Sequence, residues 1–260
     1  MKNIINAALM TLLSVTGGCT VKEDRSACPC NLTVLFTGSS STRSDVSLIG
    51  WDSQERFKDN VDVNENGPLW SRTVDKGLFT LSCYRGKEAL TEGHYSIIPE
   101  GKQADSLYAY HTLVNATGEN ASAEVSFFKQ FATVYIDIRK SAVRMQDFTF
   151  TVRGNTCGTD LLDFSPVKGV FSYSATASKG NWWVSFRIPR QIDNGLVLNV
   201  KENNGRDRDY PLGEVIAAKG YDWDELELSD IYIMIDLVFS SVSVSIGVWE
   251  EGSTTDEIEL

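Results

Sequence analysis

The sequence predicts an all-β protein made of antiparallel β-sandwiches, and three observations carry that prediction. Short runs alternate apolar and polar residues and are rich in β-branched and aromatic types, as in Leu32-Thr33-Val34-Leu35-Phe36. Clusters of Gly, Asn, Asp and Ser punctuate the gaps, as in Asn64-Glu65-Asn66-Gly67-Pro68 and Asn203-Asn204-Gly205. Helical periodicity is almost missing. Many short strands at this spacing point to sandwiches rather than βαβ units.

Taken in order, the strand-like runs after Leu32–Phe36 are Ser47–Trp51, Leu78–Cys83, Tyr95–Ile98, Ser106–Val114 and Ala123–Phe128. A second series follows with Ala132–Ile138, Phe148–Val152, Val170–Tyr173, Trp183–Ile188 and Leu196–Val200, then Ile231–Phe239 and Val242–Trp249. One short helix is expected over Pro211–Ala218, with proline near its start and Gly220 after its end, and a turn at Asp222–Leu226. Each series is roughly one domain long, so two tandem domains are expected, 31–128 and 129–260. Phe127-Phe128-Lys129-Gln130-Phe131 joins them with aromatic residues instead of a flexible linker, which implies domains held against each other.

Ahead of the first domain stands a leader. Lys2, an apolar stretch from Ile4 to Val15 and the small residues Thr16-Gly17-Gly18 read as a signal peptide over 1–18. Cys19 follows directly, and the arrangement resembles a bacterial lipobox with Thr16 where leucine is usual. Cys19 is therefore the expected lipidation site, with 19–30 as the lipidated tether. The apolar stretch is shorter than the about 20 residues that span a bilayer, so attachment would rest on the acyl chains. Lys22-Glu23-Asp24 resembles the signal that exports Bacteroidetes lipoproteins to the cell surface.

The formal charge is −11, and removal of Lys2 with the leader makes it more negative. Such a chain is a poor partner for nucleic acid, which rewards clustered Lys and Arg. Nor does it suit electrostatic binding to anionic lipid. Cys28, Cys30, Cys83 and Cys157 remain after Cys19. Cys28 or Cys30 pairing with Cys83 is the expected disulfide, in a compartment where disulfides persist, though connectivity is not fixed by sequence. No second cysteine pair or histidine cluster accompanies Cys28-Pro29-Cys30, so neither a metal nor another cofactor is expected.

Two ends of the chain carry a family resemblance. Leu90-Thr91-Glu92-Gly93-His94-Tyr95 is an arrangement frequent in transthyretin-like sandwiches. Tyr210-Pro211-Leu212-Gly213-Glu214-Val215-Ile216, Gly220-Tyr221-Asp222-Trp223, Asp230–Asp236, Val242-Ser243-Val244 and Val248-Trp249-Glu250-Glu251 follow in order. Together with Cys19 and Glu23-Asp24-Arg25-Ser26-Ala27-Cys28-Pro29, the chain resembles the fimbrillin-associated anchor proteins of Bacteroidetes. The resemblance implies two tandem transthyretin-like β-sandwich domains in a lipid-anchored outer-membrane protein exposed at the surface. It implies a role in attaching fimbriae to the cell and limiting their length, with a fimbrial stalk subunit as partner. It supplies no role for Cys30 or Cys157.

The resemblance also implies strand addition as a docking mode, in which main-chain hydrogen bonds give affinity and alternate side chains give specificity. Ile258 and Leu260 alternate with acidic residues in the tail and are the candidate donor strand, the alternative being a frayed acidic terminus, the commoner fate of such tails. An enzyme is not expected: His94 and His111 read as structural or exposed, and no nucleophile elbow, phosphate loop or zinc signature occurs. Asp207, Asp209, Asp222, Asp224 and Asp230 match no EF-hand spacing and read as a solvated face. The competing function is glycan or host-ligand binding through exposed aromatics. Trp182 and Trp183 are adjacent and must point to opposite faces of a strand, leaving one as a sugar platform or subunit contact.

Overall fold

The computed structural model describes residues 28–37, 45–139, 147–177, 183–202, 207–236 and 241–246. In chain order the strands of the first half are β1 (Cys30–Thr37), β2 (Asp45–Trp51), β3 (Glu55–Asp62), β4 (Leu69–Val74), β5 (Leu78–Arg85), β6 (Leu90–Glu92), β7 (Tyr95–Ile97), β8 (Tyr108–Asn115) and β9 (Asn120–Ser126). After β10 (Phe128–Lys129) come β11 (Phe131–Arg139), β12 (Phe148–Asp160), β13 (Pro166–Ala177), β14 (Trp183–Pro189), β15 (Val197–Glu202), β16 (Asp207–Tyr210), β17 (Ile231–Asp236) and β18 (Ser241–Ile246). Helix α1 (Val63–Asn66) is a single turn, and α2 (Leu212–Ala218) is the helix expected from Pro211 and Gly220. Pro211 sits at its N-cap, and Gly220 takes φ +82 past its end, a left-handed conformation that favours glycine.

The two halves repeat one topology. In the first, β1 lies between β4 and β9, facing the sheet β10-β8-β5-β2-β3. In the second, β11 lies between β14 and β17, facing a sheet in which β16, β15, β12 and β13 are successive neighbours. Matching strand for strand, β8-β5-β2-β3 corresponds to β16-β15-β12-β13.

The expectation of wholly antiparallel sandwiches needs correction at two places. β1 pairs parallel with β9, Asn31 opposite Asn120 and Thr37 opposite Ser126, and β11 pairs parallel with β17, Val134 opposite Ile231. A parallel neighbour requires a long crossover. Here the crossover is the rest of the half, which lays the facing sheet before the chain returns.

Each half packs its two sheets over one core. Leu32, Val34 and Phe36 of β1 share a buried cluster with Phe79, Leu81 and Cys83 of β5. Val134 and Ile136 share another with Phe150, Val152, Leu198, Ile233 and Ile216 of α2. Burying each such Leu, Ile or Phe side chain contributes about 1.5–3 kcal/mol.

A third cluster crosses between the halves: Ile49, Tyr84, Leu107 and Ala109 from the first, Leu161 and Phe164 from the β12–β13 turn. The hairpin β6–β7 crosses too. Its strand β7 pairs with the far end of β12, Ile97 opposite Gly158 and Tyr95 opposite Asp160. Gly158 is required there, because a Cβ would lie 2.2 Å from the Ser96 carbonyl oxygen. Beyond the hairpin, Ala104 N donates to Arg187 O (3.0 Å), and the Arg187 Nε donates to Ala104 O (2.8 Å).

Candidate functional site

The backbone register sets a polarity. β1 begins at Cys30, opposite Val74, and Asn31 N donates to Glu119 O at 2.8 Å. At the other end of β1, Phe36 stacks on Phe127 with ring centroids 6.2 Å apart, and Phe127 leads into β11. The chain therefore enters the first half at the pole remote from the second half. Cys19, with Lys22, Glu23 and Asp24, lies outside the described residues, as do residues 1–18. Cys19 is separated from Cys30 by a segment that reaches at most about 40 Å when fully extended.

The carboxy-terminal strand runs back toward the junction. β18 pairs antiparallel with β17, Ser241 opposite Asp236 and Ile246 opposite Ile231. Ile231 is level with Val134 near the start of β11, and Leu228 N donates to Lys129 O at 3.1 Å. Ile246, the last described residue, thus lies beside the junction between the halves. Ile258 and Leu260 lie outside the described residues. Among the described residues, β18 pairs with β17 alone; an unpaired edge is the feature that strand addition uses.

The outward face of the sheet β14-β11-β17-β18 carries aromatics. Tyr135 and Tyr232 are register partners whose rings stack 4.8 Å apart at 8°. Trp183, opposite Asp137 on the same face, is 55 % exposed. Alternation within Ala132–Ile138 and Asp230–Asp236 already points both tyrosines away from the core, a signal that a search for adjacent tryptophans passes over. Trp182 lies outside the described residues.

The remaining sequence candidates are scattered. The described cysteines, Cys28, Cys30, Cys83 and Cys157, are all free thiols. Cys30 and Cys83 share the first core but lie toward opposite ends of it. Cys83 is two residues from Arg85, whose guanidinium is 4.5 Å from the Phe127 ring at the junction, whereas Cys30 opens β1 at the other pole. Burial pushes the Cys83 thiol pKa well up, which makes it unreactive.

His94 lies in the β6–β7 turn, its Nε2 3.4 Å from Asp160 Oδ2 and its ring against Trp51 and Tyr95. His111 stands opposite Ser82 in the β5–β8 ladder, but the Ser82 hydroxyl donates to Leu162 O, so the pair is not a base and nucleophile. The five aspartates do not form one cluster. Asp207 and Asp209 accept from Asn199 Nδ2, Asp222 accepts from Asp224 N, and Asp230 accepts from Lys129 Nζ (2.5 Å) and Thr133 N (2.9 Å). Among the described residues no group of three His, Cys, Asp or Glu side chains forms a metal site. No described helix is long and apolar enough to cross a membrane.

No protein-family model matches the chain, and no curated protein sequence matches it. Solved structures do share its fold. The fimbrial anchor protein Mfa2 from Porphyromonas gingivalis matches over 85 % of this chain and 98 % of its own, with 13 % identity and a TM-score of 0.58. A candidate polysaccharide-binding protein from Bacteroides thetaiotaomicron matches over 85 % and 99 %, with 13 % identity and a TM-score of 0.58. A candidate adhesin from Bacteroides ovatus matches over 89 % and 95 %, with 11 % identity and a TM-score of 0.58. At these identities the likeness is one of fold.

Proposed function

We propose that this chain is a non-catalytic surface lipoprotein that attaches fimbriae to the outer membrane and helps limit their length. Cys19 would carry the lipid, Lys22-Glu23-Asp24 would direct export, and a fimbrial stalk subunit would be the partner. The observation that carries the reading is the polarity of the fold. A lipid at Cys19 would hold the first half toward the membrane and present the second half, with the outer edge of β18, away from it. The fold shared with the Porphyromonas gingivalis anchor protein supports the same reading. The two repeated halves would be tandem transthyretin-like domains, divided as 31–128 and 129–260. Ile258 and Leu260 would form the donor strand, with β18 as the adjoining edge.

The reading is tested by purifying the tagged protein from its native cells with and without residues 252–260. Recovery of a stalk subunit with the full chain and its loss from the truncated one are expected. Equal recovery from both would remove the tail from the docking surface, and no recovery from either would contradict the anchor role.

One observation favours a second reading, in which the protein binds a glycan. Trp183 and the stacked Tyr135 and Tyr232 place flat apolar rings on one outward sheet face, and such rings accept sugar faces. Glycan binding abolished by Trp183→Ala, with no stalk subunit co-purifying, would favour it.

A further inference from the structure

Between the halves lies an open cavity of about 350 Å³ that neither reading uses. Its floor is first-half strand, with Ala109, Tyr110 and His111 on β8 and Phe128 on β10. One wall is the β12–β13 turn, carrying Asp163, Phe164 and Ser165. The other is the loop after α2, carrying Asp224, Glu225 and Leu226.

Both walls are fixed in place. Phe164 holds φ +60, unusual for a residue with a side chain, while its N donates to Asp160 O (2.9 Å). Asp160 Oδ1 accepts from Leu162 N and Asp163 Oδ1 accepts from Ser165 N, at 2.9 and 3.0 Å. Opposite, Arg190 donates to Trp223 O, to Glu225 O (2.7 Å) and to Gln130 Oε1 (3.0 Å), and Gln130 Nε2 donates to Leu226 O (3.2 Å).

The lining has a definite charge. Asp163, Asp224 and Glu225 supply three carboxylates against one guanidinium, that of Arg190. Arg190 is committed to the wall through those bonds, and its charge also faces the Asp224 carboxylate. Aromatic rings share the lining: Tyr110 and Phe128 are 6.2 Å apart between centroids, and Phe164 packs on the His111 ring at 5.9 Å. Aromatic faces attract cations through their quadrupole, most strongly where water is partly excluded. Carboxylates at the rim add charge attraction and steer the approach.

We propose that this cavity receives a basic side chain, arginine or lysine, presented by a partner protein. The volume lies at the lower end of ligand pockets, which suits one long side chain with its flanking backbone. The stem lies along Phe128 and Leu226, and the cationic head reaches Asp224 and Glu225. Because the floor and walls come from different halves, an occupied cavity ties the halves together. This inference stands without the anchor reading.

The test is a titration of the purified mature chain with acetyl-Gly-Arg-Gly-amide, followed by amide resonances. The citrulline counterpart is the uncharged control, and cellobiose is the saccharide control. The arginine peptide is expected to shift resonances of residues 109–111, 163–165 and 224–226. Binding should weaken several-fold from 50 to 500 mM salt and about five-fold in Phe128→Ala, as loss of a cation–π contact implies. Glu225→Gln, at an exposed position, leaves the fold intact and is expected to weaken binding two- to five-fold. Equal shifts with the citrulline peptide, no shift at all, or shifts with cellobiose alone would each overturn the proposal.

Discussion

The two halves share a strand order and differ in what they add to it. The first half inserts the hairpin β6–β7 between β5 and β8 and gives it to the second half's sheet. At the matching place the second half passes from β15 to β16, which pair directly. The second half instead inserts α2 and the loop to Leu228 before its last parallel strand, where the first half has only the turn from Asn115 to Asn120. It also adds β18 outside β17, whereas β9, the equivalent of β17, pairs only with β1 among the described residues. The common frame is thus a stable sandwich, and the additions make the junction and the outward edge. In this fold, differences between repeats mark where the halves meet each other and where they can meet other molecules.

The largest test of that comparison removes a core residue from one half at a time. Phe79→Ala in the first core and Phe150→Ala in the second are each expected to cost about 3–5 kcal/mol, since both side chains are almost fully buried. Because the halves share a third cluster and a ladder, both variants should lower one common unfolding transition in denaturant. Two transitions, each lowered by only one variant, would show that the repeats unfold independently.

A smaller effect, confined to the junction, is expected at Leu161 and Gly158. Leu161→Ala empties a fully buried position in the bridging cluster and should cost about 2–4 kcal/mol. Gly158→Ala pushes a Cβ against Ser96 O and should cost about 1–3 kcal/mol. Hydrogen exchange should then show faster opening of β7 and the far end of β12, with β1 and β11 unchanged. Uniform acceleration over the whole chain would place the effect elsewhere.

The smallest effect lies on the first half's surface. Arg56 Nε donates to Asp52 Oδ2 at 2.6 Å, and together with backbone donors from Gln54 and Ser53 it lowers the Asp52 pKa from 3.8 to about 2. A depressed carboxylate contributes stability above its unfolded pKa and loses that contribution as pH falls through the folded value. Asp52 should therefore titrate near pH 2 by carboxyl carbon resonance. Asp52→Asn should flatten the acid limb of stability between about pH 4 and 2. Titration of Asp52 near 4 would show that the Arg56 contact does not persist in solution.

The strands with strong alternation were legible in the sequence, as was α2, because burial on one face leaves a period that local composition displays. The polar edge strands were not. β3 reads Glu55-Arg56-Phe57-Lys58-Asp59-Asn60-Val61-Asp62 and buries only Phe57 and Val61, so it carries too few apolar residues to announce itself. β12 runs to Asp160, well past the apolar run ending at Val152, because its second portion is held by pairing with β13 and β7. The parallel ladders were hidden for a related reason, as alternation records which face a strand buries and not its neighbour's direction. Leu90–Tyr95 signalled a turn and a strand, but not that the strand would be lent to the other half.

The cavity was legible only in pieces. Tyr110, His111, Phe128, Phe164 and Glu225 come from four separate segments, and no local spacing connects them. Trp183 was legible as a residue with one exposed choice, and it is exposed.

The proposed role is mechanical: a lipid at Cys19 would hold one pole of the molecule, and the rest would hold the fimbria. Cys19→Ala expressed in native cells, with fimbriae counted on cells and in the medium by electron microscopy, tests it most directly. Fimbriae shed into the medium or abnormally long are expected. Fimbriae of normal length and number still attached to the cells would contradict it.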